Sequence, residues 1–308
     1  MLLTDTKKRE RISKKEQLQI MNETTAAGII LFNPDISRMQ ENINAVINQV
    51  EHVILVDNGS ENKSAIEQAL PDSDRLHIIY SQKNKGIAWA LNRIFMAAAE
   101  YGVTWILTLD QDSVCPAGMI SAYQKYLTAR YKADSAAGRD THIGILCPTI
   151  VDKHTGVIDG GTAENIPVNR CITSGSLTSH AGWQAIGGFD EKMFIDGVDF
   201  DFCDRLRASG YEIIRVGEVR LMHELGRMTT HRFLWRTVKV QNHSAKRKYY
   251  IVRNRFYLAR KQKKPLAVFK SFFFVIKFSA TIILYEKDKR HKIHAVLKGM
   301  RDGLRMKL

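Results

Sequence analysis

Trp105-Ile106-Leu107-Thr108-Leu109-Asp110-Gln111-Asp112 decides the fold. An uncharged, mostly apolar run is closed by two aspartates one residue apart. Such a run, ended by polar residues, reads as a short strand buried on both faces. Upstream, Ala26 to Phe32 ends at Asn33-Pro34-Asp35, and Val53 to Val56 ends at Asp57-Asn58-Gly59-Ser60. Leu76 to Tyr80 has the same form and precedes Asn84-Lys85-Gly86. Helical stretches separate these runs. Asp35 or Ser37 caps the first, which carries Met39, Ile43, Val46, Ile47 and Val50 on one face. The next runs to about Leu70, and a third covers Gly86 to Tyr101. Alternating strands and helices predict an α/β domain with a parallel sheet covered by helices on both faces. Ligands of such sheets bind beyond the carboxyl ends of the strands, where the polar residues of this chain gather.

The second half is less regular. Ile143 to Ile150, Val157-Ile158 and Asn169 to Thr178 read as strands, and Ser179 to Gly187 and Asp199 to Ser209 as helices. Ile213 to Val216 and Val219 to His223 close this part, and from His231 onward the pattern reads as helical and basic. The expected organisation is a charged leader (1–24), a catalytic domain (25–226) and a basic helical C-terminal region (227–308). From Arg227 onward there are 23 Lys/Arg against three acids, a net +20, whereas the rest of the chain has 23 Lys/Arg against 29 acids, a net −6. That asymmetry calls for a polyanionic partner for the tail, nucleic acid or an anionic lipid surface. Cys115, Cys147, Cys171 and Cys203 form no C-x-x-C pair, so they read as reduced structural thiols rather than a zinc site. The N-terminus is charged and lacks an apolar segment, so no secretory signal is expected there.

Asp110 and Asp112 suit a hard divalent cation, Mg2+ or Mn2+, which takes oxygen ligands and fills its remaining positions with water and phosphate; a solvated acidic turn fits them too. Asp57, ending a strand of the same sheet, suits a base N–H or a ribose hydroxyl, and it equally suits the first position of a turn. Lys85 and Gly86, at the start of a helix, form a candidate diphosphate site through the helix N–H groups and the ammonium. Phe194-Ile195-Asp196-Gly197-Val198-Asp199-Phe200-Asp201-Phe202-Cys203-Asp204-Arg205 sets carboxylates among apolar residues. An ionised Asp199 at a helix N-terminus suits a general base for a hydroxyl. Asp196 and Asp201 are its rivals, and Arg205 is placed to orient one of the acids. His223, after a strand, is a candidate metal ligand beside Asp112, with Glu224 a weaker one.

In this order the pieces resemble family 2 glycosyltransferases, and within them the bacterial rhamnosyltransferase-like branch. The matching stretches are Phe32-Asn33-Pro34, Val56 to Ser60, Asn84 to Ala88 with Ala90-Leu91-Asn92, and Leu109 to Asp112. Thr173-Ser174-Gly175, Gly187-Gly188-Phe189-Asp190, Asp196 to Arg205 and His223 continue the set. The resemblance implies a GT-A fold, a Rossmann-like, mostly parallel sheet with flanking helices, holding a nucleotide-sugar, with Asp57 on the nucleoside and Asp110 and Asp112 bracketing ribose, diphosphate and metal. Asp199 stands at the place of the family's base, and Val198 departs from the Glu commonest before it. Tyr249-Tyr250 followed by Arg253-Asn254-Arg255 also occurs in many members of that branch.

The resemblance also implies an inverting transfer from a nucleotide-sugar, dTDP-rhamnose being favoured, to a glycan or lipid-linked glycan in cell-surface polysaccharide synthesis of the O-antigen kind. The apolar stretch Leu266 to Tyr285 is interrupted by Lys270 and Lys277. An in-plane helix on an anionic membrane surface fits it better than a clean span. The enzyme is therefore expected on the inner face of the cell membrane, with no nucleic acid bound. A nucleotidylyltransferase would share the sheet and acidic turn but usually carries a Gly-rich basic loop where this chain has Asn33-Pro34-Asp35. A nucleic-acid-binding or scaffolding protein would account for the tail and not for the acidic clusters.

Overall fold

The computed structural model describes residues 23–152, 156–157, 163–223, 228–233 and 236–308. The leader up to residue 22, Ile158 and Glu224 lie outside the described residues. The chain divides into two compact units: the chain up to Lys85 with Trp89–Phe189 and Phe202–His223, and Gly86–Ala88 with Asp190–Asp201 and everything beyond His223.

In the first unit the chain runs β1 (Thr25–Leu31), α1 (Ile36–Val46), β2 (His52–Asp57), α2 (Lys63–Ala69), β3 (Leu76–Tyr80), α3 (Ile87–Glu100) and β4 (Trp105–Asp110). It continues with α4 (Met119–Ala136), β5 (Ile143–Asp152), β6 (Gly156–Val157), β7 (Ile166–Pro167), β8 (Ser176–Ser179), α5 (His180–Ala185), α6 (Val198–Ala208), whose residues up to Asp201 count with the second unit, and β9 (Glu212–His223). The sheet order is β3-β2-β1-β4-β8-β5-β9-β7, with β6 on β5. β1 to β4 are mutually parallel, Gly28 pairing with Ile54 on one side and Thr108 on the other. β8 lies antiparallel between β4 and β5. The expected α/β fold with a mostly parallel sheet is the one observed.

Asp35 caps α1 by accepting the Arg38 N–H at 2.9 Å, and Met39, Ile43 and Val46 are fully buried. They pack with Ala27, Ile29, Leu31 and Leu55 of the sheet and with Met119, Tyr123 and Leu127 of α4. Each such aliphatic side chain contributes roughly 1.5–3 kcal/mol by leaving water. The expected strand at Asn169 to Thr178 contracts to β8. The two expected strands after Tyr211 are one, β9, whose pairing with β5 shifts register between Cys147 and Thr149. α4, eighteen residues long, has no counterpart among the elements expected from the sequence.

The second unit corrects the expectation of helix from His231. β10 (Met228–Phe233) and β11 (Arg236–Gln241) form an antiparallel pair. The cause is β-branched Thr229, Thr230, Thr237, Val238 and Val240, which fit a pleated surface better than a helix. Three helices complete the unit: α7 (Ala245–Lys261), α8 (Pro265–Tyr285) and α9 (Lys289–Arg305). Ser244 caps α7 by accepting the Arg247 N–H. Proline opens α8, where its missing N–H is not needed. α9 packs tightly on α7 because it carries Gly299 and Gly303: a Cβ at these positions would lie 2.5 Å from Tyr249 O and 2.3 Å from Arg253 O. Val252, Phe256, Val275, Ile282 and Val296 form the shared core. Below it, Glu286 accepts from Lys248 at 2.7 Å and from Lys292 at 2.8 Å. The opposite face of α8 is bare: Leu266, Phe269, Phe273, Ile276, Ile283 and Leu284 are all more than half exposed.

Candidate functional site

The sheet order 3-2-1-4 reverses direction at β1, so the crevice beyond the carboxyl ends of β1 and β4 is the topological switch point, where ligands of such sheets bind. Three expected groups meet there. Asn33, just past β1, takes a positive φ of 48°. Its N–H donates to Ser60 Oγ at 2.8 Å and its side-chain oxygen accepts the Glu61 N–H at 2.7 Å. Buried Pro34 accepts from Asn62 Nδ2 at 3.0 Å. These bonds fasten the β1 loop to the β2 loop. Asp57 is 1% exposed, and its Oδ1 accepts the Ser60 N–H at 3.0 Å. Its turn role is therefore realised.

Asp110 is half-buried and Asp112 exposed, in the turn after β4. That turn is held from four sides. Asn42 Nδ2 donates to Asp110 O at 2.9 Å, and the Asp110 N–H donates to Ser174 Oγ at 3.2 Å. Gln111 accepts the Phe32 N–H at 2.9 Å, and Arg38 Nε donates to Asp112 O at 3.2 Å. All four bonds use the turn's backbone or Gln111, and none of them engages the carboxylates of Asp110 and Asp112. Two carboxylates in a braced turn suit Mg2+ or Mn2+, which prefer oxygen and keep several waters. Among the described residues no three His, Cys, Asp or Glu side chains form a metal-holding group. His223 ends β9 opposite Asp152, and its side chain lies outside the described residues.

Lys85 is exposed, with Nζ 4.4 Å from the centre of the Trp89 ring. Its own N–H donates to Asn58 Oδ1 at 2.9 Å. In the second unit Gly86 has φ 93°, and Ile87 donates its N–H to Phe194 O at 2.6 Å. Two N–H groups of the expected anion site are thus spent on protein, which narrows that site towards the lysine ammonium.

The remaining candidates sit around the start of α6. Asp196 Oδ1 accepts from Arg247 Nη2 at 3.1 Å. Asp201 is 2% exposed and ion-paired with Lys261 at 2.9 Å. Lys261 also pairs with Asp190 at 2.6 Å, and Tyr257 donates to the same Asp190 oxygen at 2.7 Å. Burial would raise the Asp190 carboxyl, but the hydrogen bonds and charge from Lys261 and Tyr257 outweigh it and hold it below its ordinary value. Asp199, in the first turn of α6, accepts the Phe200 N–H at 2.9 Å. In the first unit Arg205 donates to Ile186 O at 2.9 Å. Of the two rivals for the base, one is bound to an arginine and the other to a lysine.

Asn42, Ser174, Arg247 and Lys261 take parts here that the sequence alone did not assign them. Asn42 had a signal, a polar residue beside the apolar stripe of α1 and fully buried in the fold.

A parallel half-sheet with polar turns at its switch point and an acidic pair after β4 suits a phosphate-bearing nucleotide ligand. Residues 27–145 match Glycosyl transferase family 2, and this likeness, with the one that follows, supports a glycosyltransferase similar to that family. The dTDP-rhamnosyl transferase RfbF of Shigella flexneri is 28% identical over 297 residues, covering 92% of this chain and 97% of that protein. Among solved structures, a mannose-1-phosphate geranyltransferase from Thermus thermophilus is 10% identical, covering 65% of this chain and 73% of that one, with a TM-score of 0.35. The inositol-1-phosphate CTP transferase from T. maritima is 12% identical, covering 65% and 89%, with a TM-score of 0.40. The nucleotidylyltransferase and nucleic-acid-binding alternatives are not favoured.

Proposed function

We propose that this glycosyltransferase moves rhamnose from dTDP-rhamnose to a hydroxyl of a glycan or lipid-linked glycan, with inversion, in cell-surface polysaccharide synthesis. The observation that carries the choice of sugar is the likeness to a dTDP-rhamnosyl transferase along nearly the whole of both chains. Asp57 and the Asn33-Pro34 loop receive the nucleoside. Asp110 and Asp112, with His223, are the residues that would hold Mg2+ or Mn2+, which when bound neutralises diphosphate charge.

Asp199 takes the proton of the acceptor hydroxyl. The acceptor oxygen then bonds to the anomeric carbon from the face opposite the diphosphate. The bond from that carbon to the diphosphate oxygen breaks, and its electron pair leaves with the nucleoside diphosphate. The Lys85 ammonium offers charge to that leaving group. One feature supports Asp199 over its rivals: it lies in the first turn of α6, where the helix N-terminus favours a negative charge.

The reaction belongs on the cytoplasmic face of an anionic membrane. α8 is long and apolar enough to cross a bilayer by length and composition, yet Lys270 and Lys277 interrupt it, which favours lying in the interface.

The test is a panel of nucleotide-sugars offered with Mg2+, Mn2+ or EDTA, on the wild type and on Asp199→Asn. Selection of dTDP-rhamnose is expected, with turnover lost and donor binding kept in the variant. Retained turnover would remove Asp199 from the mechanism, and no transfer from any donor by the wild type would refute the proposal as a whole.

A further inference from the structure

The loop that leads into α6 has an unusual backbone. Phe194, Asp196 and Gly197 take φ values of 59°, 68° and 79°. Two of the three are not glycine, and such conformations persist only where the surroundings impose them. Carbonyls in so tight a coil have no ladder to join and draw donors from elsewhere. The two N–H groups of Asn254, with the Ile195 N–H 2.7 Å from Met193 O, serve three of them between them. Asn254 Nδ2 lies 2.8 Å from Met193 O, 2.7 Å from Ile195 O and 2.8 Å from Asp196 O. The carbonyl left over, that of Phe194, takes the Ile87 N–H.

Asn254 is 2% exposed and belongs to α7, about sixty residues along the chain from the loop it holds. Its orientation is fixed in turn: Arg253 donates to Asn254 Oδ1 through Nε at 3.0 Å and Nη2 at 2.8 Å, and through Nη2 to Lys192 O at 2.6 Å. Neighbouring turns of the same helix face add the Tyr250 ring, stacked on Phe194 at 4.7 Å, and Arg247 on Asp196. A helix that needed only apolar packing would not dedicate a buried amide to three backbone carbonyls of one strained loop. Val198 opens α6 two residues after the last of those carbonyls, and Asp199 follows in its first turn.

We infer that Asn254 is a positioning residue for the reaction, aiming the first turn of α6, and with it the Asp199 carboxylate, by gathering the carbonyls of residues 193, 195 and 196. The inference rests on the reading of Asp199 as the base. The C-terminal helical region thereby becomes part of the catalytic apparatus as well as a candidate membrane anchor.

The experiment compares the full-length wild type with Asn254→Asp, which keeps the shape and loses both N–H donors, and with Asn254→Ala. Sugar transfer is measured as kcat and donor KM across pH, and folding by circular dichroism. Misaiming a reacting group by about 1 Å costs on the order of 100-fold, so a fall in kcat of that size is expected in both variants, with little change in donor KM. Folded variants with wild-type kcat, or with kcat and donor KM changed in parallel, would overturn the inference. So would two variants that fail to fold, since the amide would then hold the unit together rather than aim the carboxylate. Failure of the underlying reading is distinguishable: the wild type itself would transfer no sugar, or Asp199→Asn would retain full turnover.

Discussion

Glu286 faces two lysines from a position almost sealed from water. Its side chain is 1% exposed, that of Lys248 0%, and that of Lys292 10%. Lys248 Nζ also lies 4.4 Å from the centre of the Phe278 ring. Replacing Glu286 by Gln keeps the shape and removes the single negative charge. The amide oxygen still accepts from one ammonium, but the amide nitrogen faces the other as donor against donor. One buried ammonium loses its acceptor and both lose their counter-charge, and breaking a buried pair in this way costs about 3–5 kcal/mol. In a thermal melt followed by circular dichroism, the transition of the α7–α9 unit should fall on the order of 10 °C or more. The loss has a pH signature. Burial pushes the Lys248 ammonium below its ordinary lysine range, with Glu286 pulling it back up. A lysine whose folded pKa lies below its unfolded value costs stability while charged, and that cost is relieved as pH rises from the folded pKa towards about 10.4. With Glu286 gone nothing opposes the downward push, so the deficit of Glu286→Gln should shrink between neutral pH and pH ~10. Exchanging all three residues for apolar ones of similar volume should recover most of the loss. A melt of Glu286→Gln within about 1 °C of the wild type, equal at both pH values, would refute the account of a charge-starved interior.

Gly86→Ala should cost at least ~2 kcal/mol, because φ is 93° and the new Cβ would sit 2.6 Å from Phe194 O; a melt indistinguishable from the wild type would contradict the geometry. Asp190, held low by Lys261 and Tyr257, stabilises the fold above its unfolded pKa of about 3.9, and that contribution is lost as pH falls through the lower folded value. Lys261→Met should therefore move the acid-unfolding midpoint upward, and an unmoved midpoint in a pH titration would rule the pairing out as a source of acid stability. Phe273→Glu with Ile276→Glu should release the protein from anionic vesicles in flotation while leaving donor binding intact, whereas equal flotation of variant and wild type would show that the bare face of α8 is not the contact.

The first four strands were legible because each is an apolar run stopped by residues with strong turn chemistry, Asn-Pro-Asp, Asp-Asn-Gly or Asp-Gln-Asp. The family resemblance rested on those same turns, which is why the crevice at β1, β2 and β4 could be anticipated. α4 escaped because its buried apolar residues, Met119, Ile120, Tyr123 and Leu127, occupy its first half and the rest is mostly polar, so no stripe is sustained. The β10–β11 pair escaped because its alternation is embedded in a basic stretch and the join at Phe233 to Arg236 holds no Gly, Pro, Asn or Asp. The grip of α7 on residues 190 to 201 was invisible for a different reason. Asn254 with Met193, or Lys261 with Asp201, meet only through the tertiary fold, and no local pattern pairs residues so far apart.

The place of β8 between β4 and β5 has a consequence for how the protein is made. A chain emerging from the ribosome can pair β1 to β4 as soon as Asp110 is free, with one edge of β4 left for β8. β5 has nothing beside it but two-residue β6 until Ser176–Ser179 appears, and its other long partner waits for Glu212. Nine of its ten residues are buried in the finished protein, so for that interval the nascent chain carries an apolar strand with open edges, the kind of surface that seeds association between unfinished copies. Translation stalled between residues 152 and 212 should therefore yield arrested chains that depend on chaperones, while chains released after His223 should not.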